Sequence, residues 1–413
     1  MSDGADASSG TADTAPEGPL AGVLVVDFSR ILAGPLAAMT LADLGADVIK
    51  IERPGVGDDT RSWGPPWADQ EPGAPRTASY FQSVNRNKRS LALDLKRPED
   101  AELARRLVRR ADVAIDNFLP GALDRAGLGD EVLRALNPRL VVGRISGFGS
   151  AAGGDRPGYD FVVQALGGLM HITGERDGQA MKAGVALVDV LAAKDLLIGV
   201  LAALRRREAT GSGSLVEVNL LSSLQGALVN QIQAVVAAGA EPGRLGNAHP
   251  SICPYETLRC REGELAVAIG NDRQFARFAA ELGLPGLAED ERFASNPERV
   301  AHRAQLRARL EEALQADTAA GWERRLVALG LAVGRVSTIS EGIELAARLG
   351  IDPVVELERD GVRSKGIRHP VRYSPGFPLP ALGPPPLDAD GPRLRAWLEG
   401  EPDSGLSRPQ GPS

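Results

Sequence analysis

Residues 22–54 read GVLVVDFSRILAGPLAAMTLADLGADVIKIERP. The run GVLVVDF (22–28) is short, apolar and rich in β-branched residues, which predicts a buried strand. SRILAGP then turns the chain into an amphipathic helix through Ala37–Leu44, and ADVIKIERP (46–54) is a second strand stopped by proline. The pattern continues outward. RSLALDL (89–95) reads as a third strand. PEDAELARRLVRRA (98–111) opens with proline and two acids as a helix start does. DVAIDNF (112–118) and LVVGRISGFG (140–149) follow as strands, with a short helical piece around GLGDEVLRALNP between them. Strand alternating with helix implies right-handed crossovers and a mainly parallel sheet, so the first 150 residues are expected to form a doubly wound, Rossmann-like α/β domain. Ligands of such sheets bind beyond the carboxyl ends of the strands, where Ser29–Pro35, Glu52–Arg61 and Asp116–Gly121 fall. No GxGxxG or Walker-type loop follows any strand, so the sequence gives no support to dinucleotide or ATP use.

Farther along, residues 185–208 predict a long helix, 215–220 a strand, and LLSSLQGALVNQIQAVVAAG another helix. A stretch rich in proline and glycine (241–260) precedes a hairpin-like piece, YETLRCREGELAVAIG, and helices rich in Arg, Glu and Ala. A smaller α+β domain is expected there. The domain reading is a tail at 1–19, a large α/β domain at 20–210 and a linker helix at 211–244. The small domain spans 245–325, a return linker 326–345, and a segment at 346–400 completes the large domain before a flexible tail at 401–413.

Composition narrows the function. Of 413 residues, 43% are hydrophobic and 24% charged, which is the balance of a globular protein, and the net charge of −7 with no long basic tract argues against nucleic acid as a partner. Cys253 and Cys260 do not form a CxxC pair, and His171, His249, His302 and His369 are scattered, so no metal site or disulfide framework is expected. No apolar run approaches the roughly 18 residues of a membrane span. The acidic N-terminus has the character of neither a signal nor a transit peptide. A cytoplasmic protein is the expectation, with no membrane partner.

Two features invite chemistry. In DRPGYDFVVQALGGLMHITG (155–174), Asp160 follows a Pro-Gly turn and precedes an apolar helical run; Phe161, Val162, Val163, Ala165, Leu166, Leu169 and Met170 are expected to be buried. A carboxylate there is either a helix cap or a nucleophile tuned by its pocket, and spacing alone leaves both open. The second feature is FQSVNRNKRSLALDL (81–95), which sets Arg86, Lys88 and Arg89 beside Asn85 and Asn87, with Arg53 and Arg61 in the preceding loop. The run is either a solvated loop or a seat for a small polyanion such as a multiply charged phosphate.

VVDFSRILAGP (25–35), LADLGADVIKIERPGVGDDTR (41–61), VNRNKRSLALDL (84–95), DVAIDNFLPGALDRAGL (112–128), ISGFG (145–149), RPGYDFVVQALGGLMHITG (156–174) and RREATGSGSLVEVNLL (206–221) together resemble the class III CoA-transferases, the CaiB/BaiF type. GNAHPSICPYETLR (246–259) and GNDRQF (270–275) resemble the small domain of a branch that includes succinyl-CoA:dicarboxylate CoA-transferases. The resemblance implies that Asp160 is the catalytic carboxylate and that coenzyme A or acyl-CoA is a substrate, with no tightly bound cofactor. It implies that Arg53, Lys88 and Arg89 face the nucleotide phosphates. Asn117, Phe118 and Arg125 line the adenine and pantetheine path, and Ile31, Leu32 and Ala33 flank the thioester. Some family members carry glutamine at the position of Leu32 and lysine at that of Ser146, which this chain lacks. The resemblance also implies an interlocked homodimer.

A small carboxylic or dicarboxylic acid is the expected acceptor, and succinyl-CoA the expected donor. Arg30 and His249 are the candidate cations for a second carboxylate, and Tyr159, Tyr255, Asn271 and Arg273 candidate pocket residues. The amides of Gly167 and Gly168 are candidate oxyanion donors. Two competing readings are a 2-methylacyl-CoA racemase and a non-catalytic acyl-CoA-binding protein. Racemases of the family carry histidine directly before the aspartate, where this chain has Tyr159, and a phenol is a poor base near neutral pH. Asp189 matches the racemases' second acid.

Overall fold

The computed structural model describes residues 18–68 and 76–400. The tails expected at 1–19 and 401–413 lie, but for residues 18 and 19, outside the described residues. The chain forms two compact units. Of the described residues, the first comprises those from 18 to 163, 185–227 and 352–400; the second comprises 164–184 and 228–351.

In the first unit, β1 (Leu24–Asp27), β2 (Asp47–Glu52), β3 (Lys88–Ala92), β4 (Val113–Asp116), β5 (Val141–Ser146) and β6 (Ser214–Asn219) form one sheet in the order β3-β2-β1-β4-β5-β6. Every pairing is parallel. The order reverses at β1, so the loops after β1 and β4 part there and leave a crevice at their carboxyl ends. Both faces of β1 are buried, as a helix-covered parallel sheet requires. Its core joins Val26, Phe28, Ile49, Leu91 and Leu107 to Leu394 and Leu398 of the C-terminal helix Gly391–Glu399. That helix is tied to β3 by Asp390, which accepts the Ser90 N–H at 3.0 Å, and by Asp388, which accepts that of Ala92 at 2.8 Å.

The helices that matter for the site are α1 (Ala33–Asp43), α2 (Pro98–Arg110), α3 (Asp160–Leu166) and α4 (Leu187–Thr210). The expected linker helix at 211–244 opens instead with β6, an edge strand, and the apolar run after it breaks at Leu228 into helices Leu220–Ala227 and Val229–Ala238. The break coincides with the boundary between the units. Among the described residues no single helix is long and apolar enough to cross a membrane.

The apolar run after Asp160 departs from expectation. Val163 is wholly buried, but Phe161 and Leu166 remain 56% and 53% exposed, because among the described residues no element covers that face.

The second unit holds an antiparallel sheet of β7 (Tyr255–Arg259), β8 (Glu264–Ala268) and β9 (Val333–Arg335), so the expected return linker supplies a strand. Helices Asp272–Glu281, Arg303–Leu314 and Ala319–Ala328 pack Phe275, Phe278, Leu310 and Trp322 against it. A hairpin of β10 (Val354–Arg359) and β11 (Val362–Ile367) belongs to the first unit.

Candidate active site

Four strands deliver their carboxyl-end loops to one cavity of about 520 Å³ in the first unit. Phe28 and Arg30 follow β1, Arg53 to Asp58 follow β2, Leu93 to Lys96 follow β3, and Phe118 to Ala126 follow β4. The cations on its wall are Arg30, Lys50, Arg53, Lys96 and Arg125. Lys50 is spoken for, since its Nζ sits 2.9 Å from Asp58 and donates to Ser29 O at 2.8 Å with no exposure. Lys96 was missed in the sequence, although its position just beyond a strand's carboxyl end is the signal that the fold class supplies.

Lys88 and Arg89 are not brought to this cavity. Lys88 begins β3 and is fully buried; its Nζ donates to Asp27 Oδ2 at 2.9 Å, to Pro35 O at 2.8 Å and to Asn85 Oδ1 at 2.9 Å. Burial lowers its pKa to about 8 against the pull of Asp27. Arg89 and Arg86 likewise turn inward, donating from Nε to Asp47 and Asp43 at 2.9 Å each. Arg61 forks onto Glu52. The basic run is therefore internal lacing between β3 and the β1–α1–β2 segment, because each cationic head group is taken up by an aspartate of that segment. Of the residues expected at the phosphates, Arg53 alone lines the cavity.

The loop after β1 links this cavity to a second one of about 290 Å³, lined by Arg30, Ile31, Leu32, Ala33, Asn117, Phe118, Ser146, Arg156, Tyr159 and Asp189, among others. Asn117 locks the two loops together, accepting the Arg30 N–H at 2.8 Å and donating to Arg30 O at 2.7 Å. Ile31 holds φ +72°, a conformation that costs a β-branched residue about 1–3 kcal/mol. Asp58 offsets it by accepting the Ile31 N–H at 3.2 Å. Arg30 itself pairs with Asp59 at 3.3 Å and lies over the Phe118 ring.

Asp160 is delivered by a close crossing of backbones. A Cβ on Gly158 would lie 2.3 Å from Gly147 Cα, so only glycine permits the segment before Asp160 to pass the end of β5. The Asp160 side chain caps a helix far along the chain: Oδ2 accepts the N–H groups of Val188 at 2.7 Å and Asp189 at 3.2 Å in the first turn of α4. These amides were invisible in the sequence, being 28 and 29 residues away. Beside them lies the Asp189 carboxyl, which burial and the adjacent Asp160 push up to about 7. Tyr80 was missed too. Burial and the charges of Asp189, Asp160 and Asp58 push its phenol upward.

The other candidates lie in the second unit. Gly167 and Gly168 join α3 to the short helix Leu169–Ile172, with Gly168 at φ +94°. The His249 and Tyr255 rings lie 5.2 Å apart, and Tyr255 borders a cavity along β7, β8 and β9. Asn271 is occupied as the N-cap of Asp272–Glu281, accepting the Gln274 N–H at 2.9 Å.

The first unit thus pairs a parallel sheet with a cationic cleft at its switch point and a helix-held carboxylate one loop away. Residues 20–391 match the family model for CoA-transferase family III, and the chain belongs to that family. It is 42% identical over 364 residues to a succinate–glutarate CoA-transferase of Agrobacterium fabrum, covering 86% of this chain and 90% of the relative. It is 36% identical to an acetyl-CoA:oxalate CoA-transferase of Acetobacter aceti, covering 93% and 97% of the two chains. The crystal structure of a CAIB/BAIF family protein from Brucella suis superposes with a TM-score of 0.85 at 41% identity, covering 93% of this chain and all of that one.

Proposed function

We propose that this CoA-transferase moves CoA from succinyl-CoA to a small dicarboxylic acid through covalent intermediates on Asp160. The observation that carries the reading is the Asp160 carboxylate, with one oxygen held by two α4 amides beside the cavity of Ile31, Leu32 and Ala33. Relatives named for succinate and glutarate supply the substrate class.

Moving CoA between two acids without ATP needs a nucleophile whose acyl derivatives match the substrates in energy, and a carboxylate meets that need. Asp160 Oδ1 attacks the donor thioester, the C–S bond breaks, and a mixed anhydride and CoA thiolate result. The thiolate then attacks Cγ of Asp160. Negative charge develops on Oδ2, the oxygen that Val188 and Asp189 already hold, so the donors need no reorganisation. Loss of the donor's carboxylate leaves an aspartyl-CoA thioester, and the acceptor acid reverses the sequence.

CoA spans the two cavities in this reading, its phosphates at Arg53, Lys96 and Arg125 and its sulfur near Ile31–Ala33. A homodimer is part of the proposal. Ile198 in the first unit and Ile339 and Leu349 in the second are 67%, 86% and 67% exposed, and a second copy would cover such faces. Light scattering should return the mass of two chains, and a single-chain mass would remove that part. A cytoplasmic location completes it, and fractionation of the source cells is its check.

One incubation in heavy water tests the core. Succinyl-CoA, a 2-methylacyl-CoA and a panel of carboxylic acids are offered together, and products are read by mass spectrometry. New acyl-CoA species without α-deuterium are expected. Deuterium at the α-carbon without new thioesters would overturn the proposal in favour of racemisation.

A further inference from the structure

The first turn of α4 serves two carboxyl groups unequally. Asp160 Oδ2 accepts two backbone N–H groups at the positive end of a 24-residue helix, which favours its charged form. The Asp189 carboxyl has no such support. Among the described residues no hydrogen-bond donor or cation pairs with it, and its electrostatic neighbour is Asp160. The other charged and titratable groups around the cavity are engaged or neutral. Arg30 pairs with Asp59, Arg156 stacks 4.6 Å over the Phe148 ring, Tyr159 brings a phenol, and Tyr80 is held neutral by burial and the surrounding negative charge. The amides of α4 favour negative charge on Asp160, and beside it the buried Asp189 carboxyl keeps its proton below about pH 7.

We propose that Asp189 acts as an un-ionised acid whose O–H donates a hydrogen bond to the CoA sulfur across the cavity it lines with Ile31, Leu32 and Ala33. The inference rests on the transferase reading. As Oδ1 of Asp160 bonds to the donor carbonyl carbon, the C–S bond breaks and its electron pair stays on sulfur. Asp189 keeps its proton and steadies the thiolate through that hydrogen bond. Sulfur then bonds to Cγ of Asp160 as the anhydride C–O bond breaks, and no net proton transfer is required. An ionised Asp189 would instead repel both the thiolate and the incoming carboxylate. Burial and Asp160 place its titration near 7, so the device works below that pH and fails above it.

The test compares wild type, Asp189→Asn and Asp189→Ala, with kcat and KM for CoA ester followed from about pH 5.5 to about pH 9. Wild-type kcat should fall about tenfold per pH unit above the titration. Asp189→Asn keeps a donor that cannot ionise and should lose this alkaline limb, at a rate within about tenfold of wild type. Asp189→Ala should lower kcat by about 10²-fold with KM little changed, as removal of one preorganised donor does. An unchanged alkaline limb in Asp189→Asn, or wild-type kcat in Asp189→Ala, would overturn the proposal. Infrared spectra of the substrate-free protein should show a protonated-carboxyl band that disappears above neutral pH and is missing from Asp189→Asn. A protein that shows the band yet moves no CoA overturns the transferase reading; one that moves CoA without the band overturns this one.

Discussion

Two buried carboxylate clusters stand at the sheet's carboxyl edge, and they are built on opposite principles. Asp27 is wholly enclosed with Lys88 at 2.9 Å, Lys50 at 4.0 Å and the Ser29 hydroxyl, so charge meets charge and each carboxylate oxygen has a donor. Asp160 and Asp189 lie side by side, with backbone amides on one and, among the described residues, no cation on the other. The first arrangement neutralises its ions and fixes the strand order. The second sets two carboxyl groups together beside a cavity, which is poor for stability and suits the nucleophile proposed above.

The largest effect that would break this contrast comes from Asp160→Ala. Turnover should drop by at least about 10³-fold, as loss of a covalent nucleophile does, while CoA binding by calorimetry stays within about threefold. Residual activity of more than a few per cent would sink the nucleophile assignment.

Lys88→Met probes the other cluster. Removing one partner of a buried pair strands Asp27, so unfolding in denaturant should show a loss of about 3–5 kcal/mol. If instead stability held and CoA affinity collapsed in a salt-sensitive way, Lys88 would belong to the phosphate site after all.

Arg53→Ala and Lys96→Ala should each weaken CoA binding by roughly tenfold at low salt and less at high salt, since both flank an open cleft. Unchanged affinity in both would place the phosphates elsewhere.

The smallest effect is on stability against pH. The folded Asp189 pKa stands above its unfolded value, so its contribution is present at low pH and lost as pH rises from about 4 through about 7. Asp189→Asn lacks that loss, and its melting temperature at about pH 8 should exceed wild type by a few degrees. A lower melting temperature there would mean that the carboxylate is stabilised by a partner.

Much of the architecture was legible along the chain. Strand and helix alternate with the right periods from Leu24 to Ser146, and neighbours in sequence are mostly neighbours in the sheet. Asp160 was legible as a candidate because proline and glycine punctuate its approach. The partners of the basic run were not. Arg86, Lys88 and Arg89 look alike on paper, and their roles depend on Asp43, Asp27 and Asp47, some forty to sixty residues earlier. Phe161 and Leu166 misled in the other direction, because an apolar helical period predicts a covered face without saying what covers it.

Sequence by itself determined the alternation that makes a parallel sheet, the crevice that follows from it, and the family that the ordered motifs define. Those properties rest on local propensity and on short connections, which the chain encodes continuously. Tertiary structure alone decided that Lys88 bonds to Asp27 and Lys96 lines the cleft, and that the first turn of α4 holds Asp160 while, among the described residues, no donor pairs with Asp189. Charge and reactivity depend on distance and on burial, and both are set only when segments far apart in sequence close on one another.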